Sequence, residues 1–127
     1  MKTILAAFAL TALLGVQTAP AGQPNPPAAQ VMEGKLVDLV CYAMDMTGAK
    51  HAKCGIHCAE KGQPVGFVEQ KTGRIYTVLL PSPGLAKYLD QPARLTATVL
   101  KEGFVSPGKL ELKQGEAWTA VELPTAM

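Results

Sequence analysis

The sequence predicts a mainly β domain carrying one clear helix, and three observations lead there. "RLTATVLK" alternates, with Leu95, Ala97 and Val99 on one face and Arg94, Thr96 and Thr98 on the other, the period of a half-buried strand. "GFVEQ" and "IYTVLL" flank the turn residues "KTGR", which reads as a hairpin. Only the segment from about Gly48 to Lys61 has clear helical spacing, and Gly62 followed by Pro64 is a stop signal.

In chain order, "VMEGKLVDLVCY" (31–42) is β-branched and almost continuously apolar. It is expected to be one long strand, buried on both faces or bent near Asp38, that brings Cys41 to its end. The helix follows, with Thr47 as its expected cap, and then the hairpin. "PSPG" (81–84) and "SPG" (106–108) read as turns, and "LAKYL" (85–89) as one or two helical turns. "KLELK" alternates and "AWTAVEL" closes the chain as a last strand, with Trp118 expected in the core. Five or six short strands in about 95 residues fit a small OB-like barrel or a related sheet.

Before the domain, the chain has the layout of an exported protein. Lys2, an apolar run from Ile4 to Val16 and a small-residue site at Ala19-Pro20-Ala21 form the three parts of a signal peptide over residues 1–21. The run is too short for the roughly 20 residues of a membrane span. No cysteine near the cleavage site and no twin arginine point away from a lipid anchor and from export in a folded state. A periplasmic or secreted protein without a membrane anchor is therefore expected. "PAGQPNPPAAQ" (20–30) holds four of the ten prolines, and residues 22–30 read as a tether, leaving 31–127 as a single domain. Loss of Lys2 with the leader takes the formal charge from +2 to about +1, a balance that steers toward neither nucleic acid nor anionic membrane.

The chemistry is concentrated in "CYAMDMTGAKHAKCGIHC", Cys41 to Cys58, which holds all 3 cysteines and both of the 2 histidines, with Met44 and Met46 among its residues. At about 100° per residue, His51, Cys54 and Cys58 fall within an arc of roughly 60° on one helix face. Ala52, Ile56 and Ala59 occupy an adjacent arc suited to packing on the sheet. Cys41, arriving from the strand, would complete a site of three thiolates and one imidazole at the helix–sheet seam, a donor set for copper(I) or zinc. Copper(I) is preferred if the thioethers of Met44 or Met46 take part, zinc if they only pack. His57 sits at the rim of the arc and reads as a surface residue.

The spacing is neither the Cys-x-x-Cys of zinc ribbons and redox motifs nor the Cys-x-x-Cys-His of haem attachment. Two other readings stand beside the metal. Cys41 bridged to Cys54 or Cys58 would staple strand to helix, leaving one free thiol. A reactive thiol with a histidine partner would make a thiol-dependent redox protein.

Asp38, Cys41 and Tyr42, then His51, Cys54, Cys58 and Ala59, then Gly62, Pro64, Val65, Gly66 and Tyr76 follow a shared pattern. It resembles a group of small exported bacterial proteins of OB-like fold, over roughly residues 34–80. The resemblance implies that Cys41, His51, Cys54 and Cys58 act as one unit, and it names no metal.

The function expected is a metal carrier, buffer or structural site, whose partners would be the ion and a metal-delivering or metal-accepting protein. No Ser-His-Asp pattern, no Gly-x-Ser-x-Gly and no paired carboxylates suggest a hydrolase, and export with near-neutral charge disfavours nucleic-acid binding.

Overall fold

The computed structural model describes residues 27–101 and 103–125, so the expected signal peptide lies outside the described residues. Six strands form the sheet: β1 (Ala29–Asp38), β2 (Val65–Glu69), β3 (Ile75–Val78), β4 (Pro92–Lys101), β5 (Phe104–Gln114) and β6 (Ala117–Val121). Their order is β3-β2-β1-β4-β5-β6, and a parallel pairing of β3 with β5 closes five of them into a ring. The mainly β, OB-like barrel expected from the sequence is the observed architecture. Ring closure pairs the β3 edge and leaves β6, outside the ring, as the edge strand among the described residues.

β1 starts at Ala29, two residues before the expected boundary, where it pairs with Thr98 of β4. Its first part pairs with β4 and its last part, Gly34 to Asp38, with β2, so one strand turns the corner of the barrel. The alternation in β4 is reproduced: Ala93, Leu95 and Ala97 are each about 1% exposed. They pack with Leu36, Phe67, Val105 and Leu110 in the core.

Three departures have local causes. The expected turn at Ser106-Pro107-Gly108 lies inside β5, at a register shift opposite Thr96 and Ala97. β3 pairs with β5 only at Phe104 and Val105 and β6 only from Leu110 onward, so Pro107 sits where its missing N–H costs no ladder bond. "PSPG" likewise opens a one-turn helix, α3 (Ser82–Leu85), continued by a 3-10 turn (Ala86–Tyr88), with proline in the first helical turn where its lost donor is tolerated. Trp118 is paired with Lys113 in the β5–β6 register. That places its ring on the outer face, 4.9 Å under the Arg94 guanidinium, and Arg94 in turn bonds Glu111 at 3.0 Å.

None of the helices among the described residues is long and apolar enough to cross a membrane.

Candidate metal centre

The long first strand does not reach Cys41. It ends at Asp38, and a one-turn helix, α1 (Leu39–Ala43), follows. The cause is local: the Asp38 side chain accepts the backbone N–H of Cys41 at 2.7 Å, and an aspartate at this position satisfies a donor that the first helical turn leaves open. The Leu39 N–H donates to the Pro64 carbonyl at 2.9 Å, which ties the start of α1 to the segment leaving the next helix. Both-face burial does hold at this end of β1: Leu36, Val37 and Asp38 are 1%, 1% and 3% exposed.

The main helix, α2, covers Ala52–Glu60 rather than Gly48 to Lys61. Gly48 has φ +80°, a left-handed backbone that cannot begin an α-helix. Residues 48–51 form a turn closed by the His51 N–H on the Gly48 carbonyl at 2.9 Å. His51 therefore stands at the N-cap position, without a side-chain capping bond, and Thr47 is not the cap. The other end stops as expected. Gly62 takes φ +90°, its N–H bonds the Ala59 carbonyl at 2.9 Å, and the Gln63 N–H bonds the Cys58 carbonyl at 3.0 Å, the paired bonds of a Schellman terminus.

α2 packs on α3, the 3-10 turn and β1. Its inward stripe is Gly55 and Ala59, both buried, with Ile56 partly buried against the core. Ala52, expected in that stripe, is only half-buried. Gly55 faces Asp38 and Leu89: a Cβ there would stand 3.8 Å from each, an ordinary packing contact. This packing turns the adjacent stripe, Cys54 and Cys58, toward α1.

The sulfurs of Cys41, Cys54 and Cys58 consequently lie within 4.8 Å of one another, with Cys41 and Cys54 in contact at 3.8 Å. All three are free thiols, graded in access: Cys41 buried, Cys58 half-buried, Cys54 exposed. An ion held by thiolates at about 2.3 Å sets sulfur–sulfur edges of about 3.8 Å, so the trio fits a soft or borderline transition metal. A disulfide bond of about 2.05 Å would require Cys41 and Cys54 to close further. Burial first, then the Asp38 carboxyl and the Cys54 thiol, push the Cys41 thiol up to about 12. The Cys58 thiol is also raised, chiefly by burial. Without a cation Cys41 and Cys58 thus hold their protons, which a metal must displace.

Of the four residues expected to form the site, the structure brings together three. His51 lies outside the group of atoms that share the 4.8 Å radius, because the turn at Gly48–His51 removes it from the helical arc that would have aligned it with Cys54. His57 is exposed on α2, in keeping with its reading as a surface residue. Met44 caps the C-terminal end of α1 and is 55% exposed.

Asp38, named in the sequence as a bend point and as part of the shared pattern, was not expected at the site. It is 3% exposed, one carboxyl oxygen holds the Cys41 N–H, and the other, Oδ2, is buried with no hydrogen-bond partner. An unsatisfied buried polar atom costs about 1–3 kcal/mol and asks for an explanation. The signal in the sequence was a carboxylate three residues before a cysteine in an otherwise apolar run.

No protein-family model, no curated protein and no solved structure matches the chain.

Proposed function

We propose that the protein is an exported holder of a soft or borderline transition metal, copper(I) or zinc, bound by the thiolates of Cys41, Cys54 and Cys58. The observation that carries this reading is the convergence of all 3 cysteines of the chain, from two separate helices, to within 4.8 Å. An odd number of thiols gathered at one point suits an ion better than a pairwise cross-link. The barrel contributes rigidity. α1 is held by its Asp38 cap and α2 by its stop at Gly62, which gathers the three sulfurs and leaves a short closing step for the ion to drive.

Cys54, exposed, is the thiol that an incoming ion meets first, and buried Cys41 is the one that shields it from water. This gradient supports acquisition from, or release to, a metal-delivering or metal-accepting protein by stepwise ligand exchange. Carrier, buffer and structural roles share this chemistry.

The test is metal binding by the reduced chain in competition with Cu(I)-selective and zinc-selective chelators. One ion per chain, with all three thiols protected from alkylation while it is bound, supports the reading. Retention of no ion under either competition sinks it.

The 3.8 Å contact of Cys41 with Cys54 favours a second reading, a thiol-dependent redox protein or disulfide-stapled module. In it, these two thiols lose two protons and two electrons to a disulfide oxidant and form a bond, leaving Cys58 free.

A further inference from the structure

We propose that Asp38 is the fourth donor of the site, so that the centre is a three-thiolate, one-carboxylate set selective for a divalent ion of zinc's class over copper(I). The inference rests on the metal-holding reading above and deepens it.

Two observations meet at this residue. Oδ2 of Asp38 is an acceptor that is buried and has no hydrogen-bond partner among the described residues, while Oδ1 is already engaged by the Cys41 N–H at 2.7 Å. The carboxyl is therefore held by one oxygen and free at the other, beside the most deeply buried thiol of the trio. Its location is enforced from both sides. β1 pairing fixes Asp38 opposite Val65, and the close packing of α2 brings Gly55 against its side chain. A carboxylate bound to a metal through one oxygen commonly keeps the other in a hydrogen bond to the protein, which orients it.

The choice of ion follows from the donor types. Zinc is borderline in softness and in structural sites is almost always four-coordinate, accepting carboxylate oxygen at about 2.0–2.2 Å beside thiolate sulfur. Three thiolates alone leave it one donor short. Copper(I) is soft, favours thiolate and thioether, and gains little from a carboxylate. Of the two thioethers that would have argued for copper, Met44 is 55% exposed, while Met46 is half-buried and tied through its N–H to the Cys41 carbonyl at 2.8 Å, so Met46→Leu is the control for a copper(I) site. Asp38 oxygens lie outside the radius shared by the three sulfurs. Binding therefore draws α1 and α2 together around the ion, the same contraction that shortens the wider sulfur pairs toward the edge already present between Cys41 and Cys54. The charge of four anionic donors is offset in part by Lys50, Lys53 and Lys61, all exposed on or beside α2.

Asp38→Asn is the discriminating variant, because asparagine is as good an N-cap as aspartate and keeps α1 while removing the anionic donor. In the reduced full chain, zinc affinity should fall by at least the roughly 10- to 100-fold that loss of a merely orienting partner costs, and copper(I) affinity should change much less. With cobalt(II) as a spectroscopic probe, the visible d–d bands of the wild-type complex should shift in Asp38→Asn, whereas the thiolate-to-metal band should keep its three-sulfur intensity. His51→Ala serves as the rival, since an imidazole is the other available fourth donor. Unchanged zinc affinity and cobalt spectrum in Asp38→Asn, or a loss confined to His51→Ala, overturns the assignment and leaves the three-thiol site standing. A wild-type chain that binds neither zinc nor copper(I) with its thiols reduced removes both the assignment and the function it rests on. Far-ultraviolet circular dichroism of each variant verifies that the fold is retained.

Discussion

The carboxyl of Asp38 accepts the backbone N–H of Cys41 at 2.7 Å, and this one bond both ends the first strand and starts the turn that carries the buried thiol. Replacing Asp38 with alanine should destabilise the reduced, metal-free chain by about 1 kcal/mol through loss of the cap. Asparagine should cost a few tenths at most. Urea denaturation of the two variants checks this. Equal losses in both would mean that the charge, and not the capping bond, matters for the fold.

If the three sulfurs, which lie within 4.8 Å, hold one ion as proposed, single replacement of Cys41, Cys54 or Cys58 by serine should each reduce bound metal to a small fraction. His51→Ala should weaken binding less than any of these, since His51 stands outside that radius, and His57→Ala least of all. Inductively coupled plasma analysis of the dialysed variants reads the stoichiometry. A serine variant that keeps full stoichiometry and affinity removes that cysteine from the site.

Burial and the Asp38 carboxyl hold the Cys41 thiol at about 12, above its ordinary 9.0. The native state thus keeps a proton that the unfolded chain gives up near pH 9. Stability from this source is complete below about pH 9 and is lost as pH rises toward about 12. The urea midpoint of the reduced, metal-free chain should therefore begin to fall near pH 9 and keep falling toward about pH 12, less steeply in Cys41→Ser. At pH 8, alkylation followed by peptide mass mapping should modify exposed Cys54 first and Cys41 last. Prior labelling of Cys41 would contradict its burial.

On the outer face of β4 and β5, Arg94 first and then Lys109 hold the Glu111 carboxyl down at about 2, from 4.5. A lowered carboxyl stabilises the fold above its ordinary value, and that contribution disappears as pH falls from about 4.5 to about 2. Thermal midpoints measured across this window should drop for the wild type and flatten for Glu111→Gln. A parallel decline in both would exclude this cluster as an acid-sensitive element.

Much of the barrel was legible because its strands are short and alternate: the face of Leu95 and Ala97 follows from period two alone. The Gly62 stop was legible because a left-handed C-terminus needs glycine. The local competition at Asp38 was less visible. A side-chain cap outweighed the β propensity of "LVDLV", so Cys41 came from a helical turn and not from the strand. The left-handed backbone of Gly48 was equally hidden, and it shortened α2 by one turn and took His51 out of the arc. Pro107 was read as a turn because the gap between the pairings of β3 and β6 with β5 is a tertiary fact. The cysteines converged regardless, since Cys54 and Cys58 share a face of α2 at any helix start before Cys54.

The most direct test is to count metal and thiols on the chain as isolated from cells, with no metal added during purification. The account predicts one copper or zinc ion per chain, thiols that are masked while the ion is bound, and three titratable thiols once it is removed by a chelator. A metal-free chain with a disulfide from Cys41 to α2 and a single free thiol, unchanged by chelation, would contradict it.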